Sequence, residues 1–130
     1  MNGGSIRSTK IVSFFDLKAW QEGHKLVLCV YGLIKSFPPE ERFSLSDQLR
    51  RSAISVTSNI AEGFGRRTGK EKLHFYYQSN GSLLELKSQL MIARDLRYIS
   101  SETFKGAMDI ADHAHALLRG LMKSAFSVHP

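Results

Sequence analysis

The sequence predicts an all-α protein, an antiparallel up-down-up-down four-helix bundle. Three observations point there. Apolar residues recur at three- and four-residue spacing in four separate stretches, none of which alternates with the period of two expected of a half-buried strand. The connections between them are short, which makes neighbouring helices antiparallel. The 130 residues, 42% hydrophobic and 23% charged, suit one domain with a real core. Residues 1–13, polar and glycine-containing, read as a flexible N-terminal tail, 14–126 as the bundle and 127–130 as a C-terminal tail.

In the first helix Leu17, Trp20, His24, Val27, Tyr31 and Ile34 form a coiled-coil-like seam. Asp16 suits its N-cap, with Phe15 as a hydrophobic staple on Trp20, and Phe37-Pro38-Pro39 ends it. The second helix opens with the capping-box-like pair Ser44 and Asp47. At ~100° per residue, Leu45, Leu49, Ala53, Val56 and Ile60 share an arc of about 80°. Arg51, Ser55, Ser58 and Glu62 make a separate polar stripe, and Gly63 or Gly65 supplies a left-handed C-cap.

Thr68 and Glu71 form a second capping-box pattern, starting the longest helix, which runs to about Leu96. It is apolar on two sides: Leu73, Tyr77, Leu84 and Met91 on one, Phe75, Leu86, Leu90 and Ala93 on the other. Such a helix is central or lies in a subunit contact. Ser100 or Ser101 caps the fourth helix, whose stripe is Phe104, Met108, Ala111, Ala114, Leu118, Leu121, Met122 and Ala125.

No catalytic, cofactor-binding or metal set emerges. His113 and His115 point to different helix faces, and Asp109 with His113 is more economically an exposed polar pair than a metal site. His24 and His115 read as core-edge histidines. Inward glutamates and Glu-x-x-His pairs of a di-iron bundle are missing. Gly63-Phe64-Gly65-Arg66-Arg67-Thr68 follows a helix rather than a strand and lacks the remaining residues of a phosphate-loop fingerprint. Cys29, the single cysteine, cannot form an intrachain disulfide and reads as a small buried residue. No apolar run spans a bilayer and the N-terminus has no secretory pattern, so the expectation is a cytoplasmic protein without a membrane partner.

Charge is more informative. The net charge is +6, and residues 42–72 carry seven Lys/Arg against three Asp/Glu, placing four of the six excess charges in one quarter of the chain. Arg66, Arg67, Lys70 and Lys72 bracket the turn between the second and third helices, where free amides of a helix N-terminus add positive potential. Arg50 and Arg51 extend it along the second helix, although pairing with Asp47 accounts for one of them. These six are the candidate contacts to RNA or DNA phosphates.

Several motifs then match one pattern in order: Phe15-Asp16-Leu17-x-x-Trp20-Gln21, Phe37-Pro38, Glu41-Arg42-Phe43, Gln48-Leu49-Arg50-Arg51-Ser52-Ala53, Ser58-Asn59-Ile60-Ala61-Glu62-Gly63, Gly65-Arg66, and Gly81-Ser82-Leu83-x-Glu85-Leu86 with Gln89-Leu90. Across about residues 14–125 the chain resembles the bacterial four-helix bundle family encoded in intervening sequences of large-subunit ribosomal RNA genes. The accessory variability proteins of diversity-generating retroelements belong to the same group. The resemblance implies a ring-like homopentamer, no known catalysis and a basic surface toward nucleic acid; in the retroelement branch it implies a reverse transcriptase partner. A protein–protein adaptor is therefore the alternative to a nucleic-acid binder. Asn59, Glu62, Gly63 and Gly65 belong to the motif and are assigned to structure, Asn59 and Glu62 through capping or interhelix hydrogen bonds. Asn80 stands where the pattern has alanine, and Arg97 where it has glycine.

Overall fold

The computed structural model describes residues 10–128. Among them are four α-helices and no strand: α1 (Lys18–Leu33), α2 (Leu45–Phe64), α3 (Gly69–Asp95) and α4 (Ser101–Val128). Short 3-10 turns, Phe14–Asp16, Ile34–Ser36 and Pro39–Glu41, precede α1 and fill its connection to α2. Residues 1–9 of the expected N-terminal tail and residues 129–130 lie outside the described residues, while α4 continues two residues past the expected boundary at 126.

Each helix packs on its sequence neighbours, and α1 also packs on α4, closing a four-membered ring of helices in which α1 and α3 are diagonal. The core runs down the middle through Leu26, Val30, Leu49, Val56, Ile60, Leu83, Leu86, Leu90 and Leu118, all sealed from solvent. The second and fourth helices bury the predicted stripes. The first does so in part: Leu17 is buried and Trp20, Val27 and Ile34 pack against the core, but His24 and Tyr31 face outward, and the helix is rotated toward Ala19, Gly23, Leu26, Val30 and Leu33. Crowding against α2 explains the rotation: a Cβ on Gly23 would stand 3.0 Å from Thr57 Cγ2, so the thin side of α1 faces the neighbour.

Small and polar residues bridge α2 and α3 beside the apolar core. Ser79 donates to the Val56 carbonyl (2.8 Å), Ser52 to Gln89 Oε1 (3.0 Å), and the Ser55 and Ser82 hydroxyls meet at 2.7 Å. Residue numbers thus rise along α2 as they fall along α3. At the far end Gly63 faces Tyr76 so closely that a Cβ would lie 2.7 Å from the ring and 3.2 Å from the Lys72 carbonyl oxygen. Close approach, rather than backbone conformation, requires this glycine. No described glycine has positive φ, and Gly65, the C-cap of α2, has φ −77°, so the expected left-handed glycine cap does not form.

The left-handed position is Arg97, with φ 65°. Its N–H donates to the Arg94 carbonyl (2.9 Å) and that of Tyr98 to Ala93 (2.9 Å), the two bonds of a Schellman closure of α3. Glycine adopts that conformation without steric cost, whereas an arginine is strained there.

Other caps also depart from expectation. Leu17, not Asp16, caps α1; the Asp16 carboxylate instead accepts from the Val12 and Ser13 amides, which holds its pKa below the ordinary carboxylate value. Phe14 rather than Phe15 packs on Trp20, at 5.4 Å. Ser44 makes no side-chain cap of α2; Glu41 takes that place, accepting from the Leu45 amide (3.2 Å) and from the Tyr98 hydroxyl (2.8 Å). Thr68 caps α3 as predicted, accepting from the Glu71 amide at 3.1 Å, and Ser100 accepts from the Thr103 amide at 3.1 Å.

Two substitutions test this account. Gly63→Ala is expected to lower unfolding stability by about 1–3 kcal/mol through overpacking. Arg97→Gly is expected to raise it by up to about 1 kcal/mol, relief of strain exceeding the entropy glycine adds to the unfolded chain. Urea denaturation of both variants checks the opposite signs.

Candidate nucleic-acid interface

The short link from Phe64 to Gly69 turns the chain between α2 and α3 and places Arg66, Arg67, Lys70 and Lys72 at one end of the bundle. They differ in what they already hold. Lys72 is half-buried, its ammonium donating to the carbonyls of Phe64 (2.7 Å) and Gly63 (3.5 Å). Burial pushes its pKa below the ordinary lysine value. Lys72 thus caps the C-terminus of α2 by satisfying carbonyls that helix geometry leaves open. Arg66 pairs with Glu62 at 2.7 Å and lies over the Phe75 ring, 4.6 Å from its centroid.

Arg67 and Lys70 are exposed, and neither side chain has an ion-pair or hydrogen-bond partner among the described residues. They flank the first turn of α3, whose leading amides have no intrahelical acceptor. Arg67, Lys70 and, in part, Arg66 form the available cationic surface. The Arg67 N–H itself is held by Glu71 Oε1 at 3.3 Å, so the turn is braced while its side chains project.

Arg50 and Arg51 belong to another place. They stand near the start of α2, roughly 20 Å along the axis from the turn. Arg50 donates to the Arg42 carbonyl (3.2 Å) and approaches Asp47 at 4.0 Å. Arg51 is exposed beside an open groove lined by Gln48, Ile54, Ser55 and Glu85. The six cations therefore form two groups rather than one continuous strip.

The motif residues take structural roles. The Asn59 amide donates to the Ser55 carbonyl (2.9 Å) and hydroxyl (3.0 Å), steadying the serine that reaches across to Ser82. Its bonds stay within α2. Glu62 holds Arg66, Gly63 admits Tyr76, and Gly65 ends the helix.

Asn80 joins an arrangement that sequence reasoning missed. His115 is buried against it, with Nε2 to Asn80 Oδ1 at 2.6 Å and Nδ1 to Lys87 Nζ at 2.8 Å; Lys87 also pairs with Asp112 at 2.9 Å. An ammonium only donates, so Nδ1 accepts, and the neutral ring donates from Nε2 to Asn80. Burial, reinforced by the Lys87 and Arg119 charges, holds the His115 pKa below 6.5. The signal available in the sequence was Asn80 departing from the pattern, with His115 on the facing apolar stripe. The other three described histidines are surface groups: His24 stacks on Trp20 at 4.9 Å, His113 meets Glu22 at 3.2 Å, and His74 meets Gln78 at 3.2 Å. No cluster of three or more His, Cys, Asp or Glu side chains is placed to hold a metal among the described residues.

The described residues thus form a closed ring of four α-helices with a braced cationic turn between the second and third. The description 23S rRNA-intervening sequence protein matches residues 15–120. The chain belongs to that family. It is also similar to a crystal structure described as a protein of unknown function from the S23 ribosomal protein family of Bacteroides thetaiotaomicron. The two share a TM-score of 0.74 and 19% identity over 81% of this chain and 98% of that one, a likeness in fold. No curated protein matches the chain.

Because the folded pKa of His115 is depressed, the unfolded chain takes up its proton first. Stability is expected to be fully present above the ordinary value of 6.5 and to fall as pH drops toward the lowered folded value. His115→Gln, which keeps an acceptor and a donor but cannot titrate, should flatten urea midpoints measured between pH 8 and pH 5.

Proposed function

We propose that the protein is a non-enzymatic, homo-oligomeric bundle that binds RNA or DNA mainly through phosphate contacts. The carrying observation is the α2–α3 turn, where Arg67 and Lys70 project without acceptors beside the N-terminal amides of α3. The +6 net charge and its concentration in residues 42–72 add long-range attraction. Contacts of this kind are salt-sensitive and only weakly sequence-selective, because phosphates carry no base identity. Membership in a family named for ribosomal RNA intervening sequences is consistent with this reading.

The up-down-up-down order belongs to the same proposal. Its support is that Ser36 and Phe37, between α1 and α2, meet Tyr98, between α3 and α4, while Leu17, Phe64, Gly69 and Leu121 gather at the other end. A cytoplasmic setting fits the absence of any helix long and apolar enough to cross a membrane among the described residues.

Apolar surface favours assembly and keeps a second reading in play, an adaptor that docks a protein such as a reverse transcriptase. On α3, Tyr77, Leu84 and Met91 follow one another at seven-residue intervals and are 57%, 55% and 45% exposed. Ile54 on α2 is also exposed, and Gly81, between Tyr77 and Leu84, has open space around it. On the diagonal helix, Leu28 and Tyr31 face outward.

Arg67→Ala/Lys70→Ala is expected to reduce the slope of log affinity against log salt by about 2 for a mixed-sequence duplex, without loss of helix content. Arg66→Ala and Lys72→Ala should change the slope less, since both side chains are already engaged. Fluorescence anisotropy across salt concentrations reads the slope. An unchanged slope in the double variant removes the turn from the interface and favours the adaptor.

A further inference from the structure

A cavity of about 230 Å³ sits beneath the α2–α3 turn, at the end of the bundle core. Its walls are Leu17 before α1, Phe64 at the end of α2, Gly69, Lys72 and Tyr76 on α3, and Leu121, Ser124 and Ala125 on α4. Most of this lining is apolar, but its polar groups share one character. The Lys72 ammonium has three protons, two of them directed to the Phe64 and Gly63 carbonyls, which leaves one donor. Gly69 puts the first turn of α3 on the wall, where Thr68 satisfies the Glu71 amide but the Gly69 and Lys70 amides have no intrahelical acceptor, and Ser124 adds a hydroxyl.

Tyr76 is the decisive group. The residue is only 3% exposed, yet its hydroxyl makes no hydrogen bond to the described residues and is not sealed from solvent, so it is free to bond a ligand in the cavity that Tyr76 lines. Gly63 holds the ring in place, since even a methyl group there would displace it. An unpaired phenol, a spare ammonium proton and a helix N-terminus around an apolar chamber favour an acceptor-rich, negatively charged head on an apolar body.

We propose that this cavity binds a compact monocarboxylate, its carboxylate held by Tyr76 and Lys72 and its body seated against Leu17, Phe64 and Leu121. The size is limiting. An enclosed apolar cavity of ~150 Å³ accepts benzene, so this larger pocket, open on one side, has room for an aromatic ring with a carboxylate. The site is separate from the proposed phosphate-binding surface, because Arg67 and Lys70 are exposed on the turn and do not line the cavity.

Benzoate is the probe, with benzamide as its uncharged counterpart, titrated into the full chain and followed by amide and aromatic NMR shifts. Saturable shifts centred on Gly69, Lys72 and Tyr76 are expected, with benzamide at least tenfold weaker. Tyr76→Phe, which preserves packing, should weaken benzoate about fivefold, as loss of one hydrogen bond worth about 1 kcal/mol implies. Absence of saturable shifts, equal binding of benzamide, or an unchanged affinity in a folded Tyr76→Phe chain would each overturn the proposal. None of these outcomes bears on the salt dependence of nucleic-acid binding.

Discussion

The close approach of α2 and α3 is the constraint on which the rest of the molecule depends. Their contact is the most extensive between any two helices here, and several serines take part in it beside the core side chains. Ser52, Ser55, Ser79 and Ser82 lie within it, and at the turn Gly63 meets the Tyr76 ring without room for a Cβ. Small residues let the backbones come near, and the serine hydroxyls then find partners that would otherwise be costly to leave out. Because the helices are close where the chain reverses, Lys72 reaches back to the last carbonyls of α2. Arg67 and Lys70 lie on the outside of that turn, and the cavity that Lys72 lines lies on its inside.

The fold class and most of the core were legible in the sequence because helical periodicity survives wherever one face is plainly apolar, as in α2 and α4. It was only partly right in α1, where two stripes compete. Trp20 and Tyr31 carry far more apolar surface than Ala19 and Gly23, yet the small pair is buried while Trp20 is only partly buried and Tyr31 faces outward. The available space decides, and it belongs to the neighbouring helix. The same limit applies to glycine. Gly63 and Gly65 suggested a left-handed cap, but the special requirement at Gly63 is distance, and the left-handed residue is Arg97, which propensity alone would not select.

The candidate interface was legible as a concentration of charge and no further. A sequence counts cations but does not say which are committed. Lys72 was indistinguishable from Lys70 before its ammonium was placed on two helix carbonyls, and Arg66 from Arg67 before Glu62 closed on it. These pairings depend on reach across the turn and on helical spacing together. The Asn80–His115–Lys87 arrangement was hidden for a related reason: its members lie on different helices, and only the register of α3 on α4 brings them together.

The placement of apolar surface bears on how copies would assemble. The outward residues of α3, Tyr77, Leu84 and Met91, lie on the helix diagonal to α1, whose Leu28 and Tyr31 also face outward. A two-fold dimer uses the same patch on both subunits, so pairing through either face would leave the other in water. A head-to-tail contact, with the α1 face of one copy against the α3 face of the next, covers both at once. Repeated with a rotation that closes, such a contact gives a ring. Gly81, with nothing around its Cβ position, would let a neighbouring helix come close at the middle of the α3 face. The turn carrying Arg67 and Lys70 lies at the end of the bundle rather than on either lateral face. A ring built this way would repeat that turn around one rim, multiplying individually weak phosphate contacts into a single polyvalent surface.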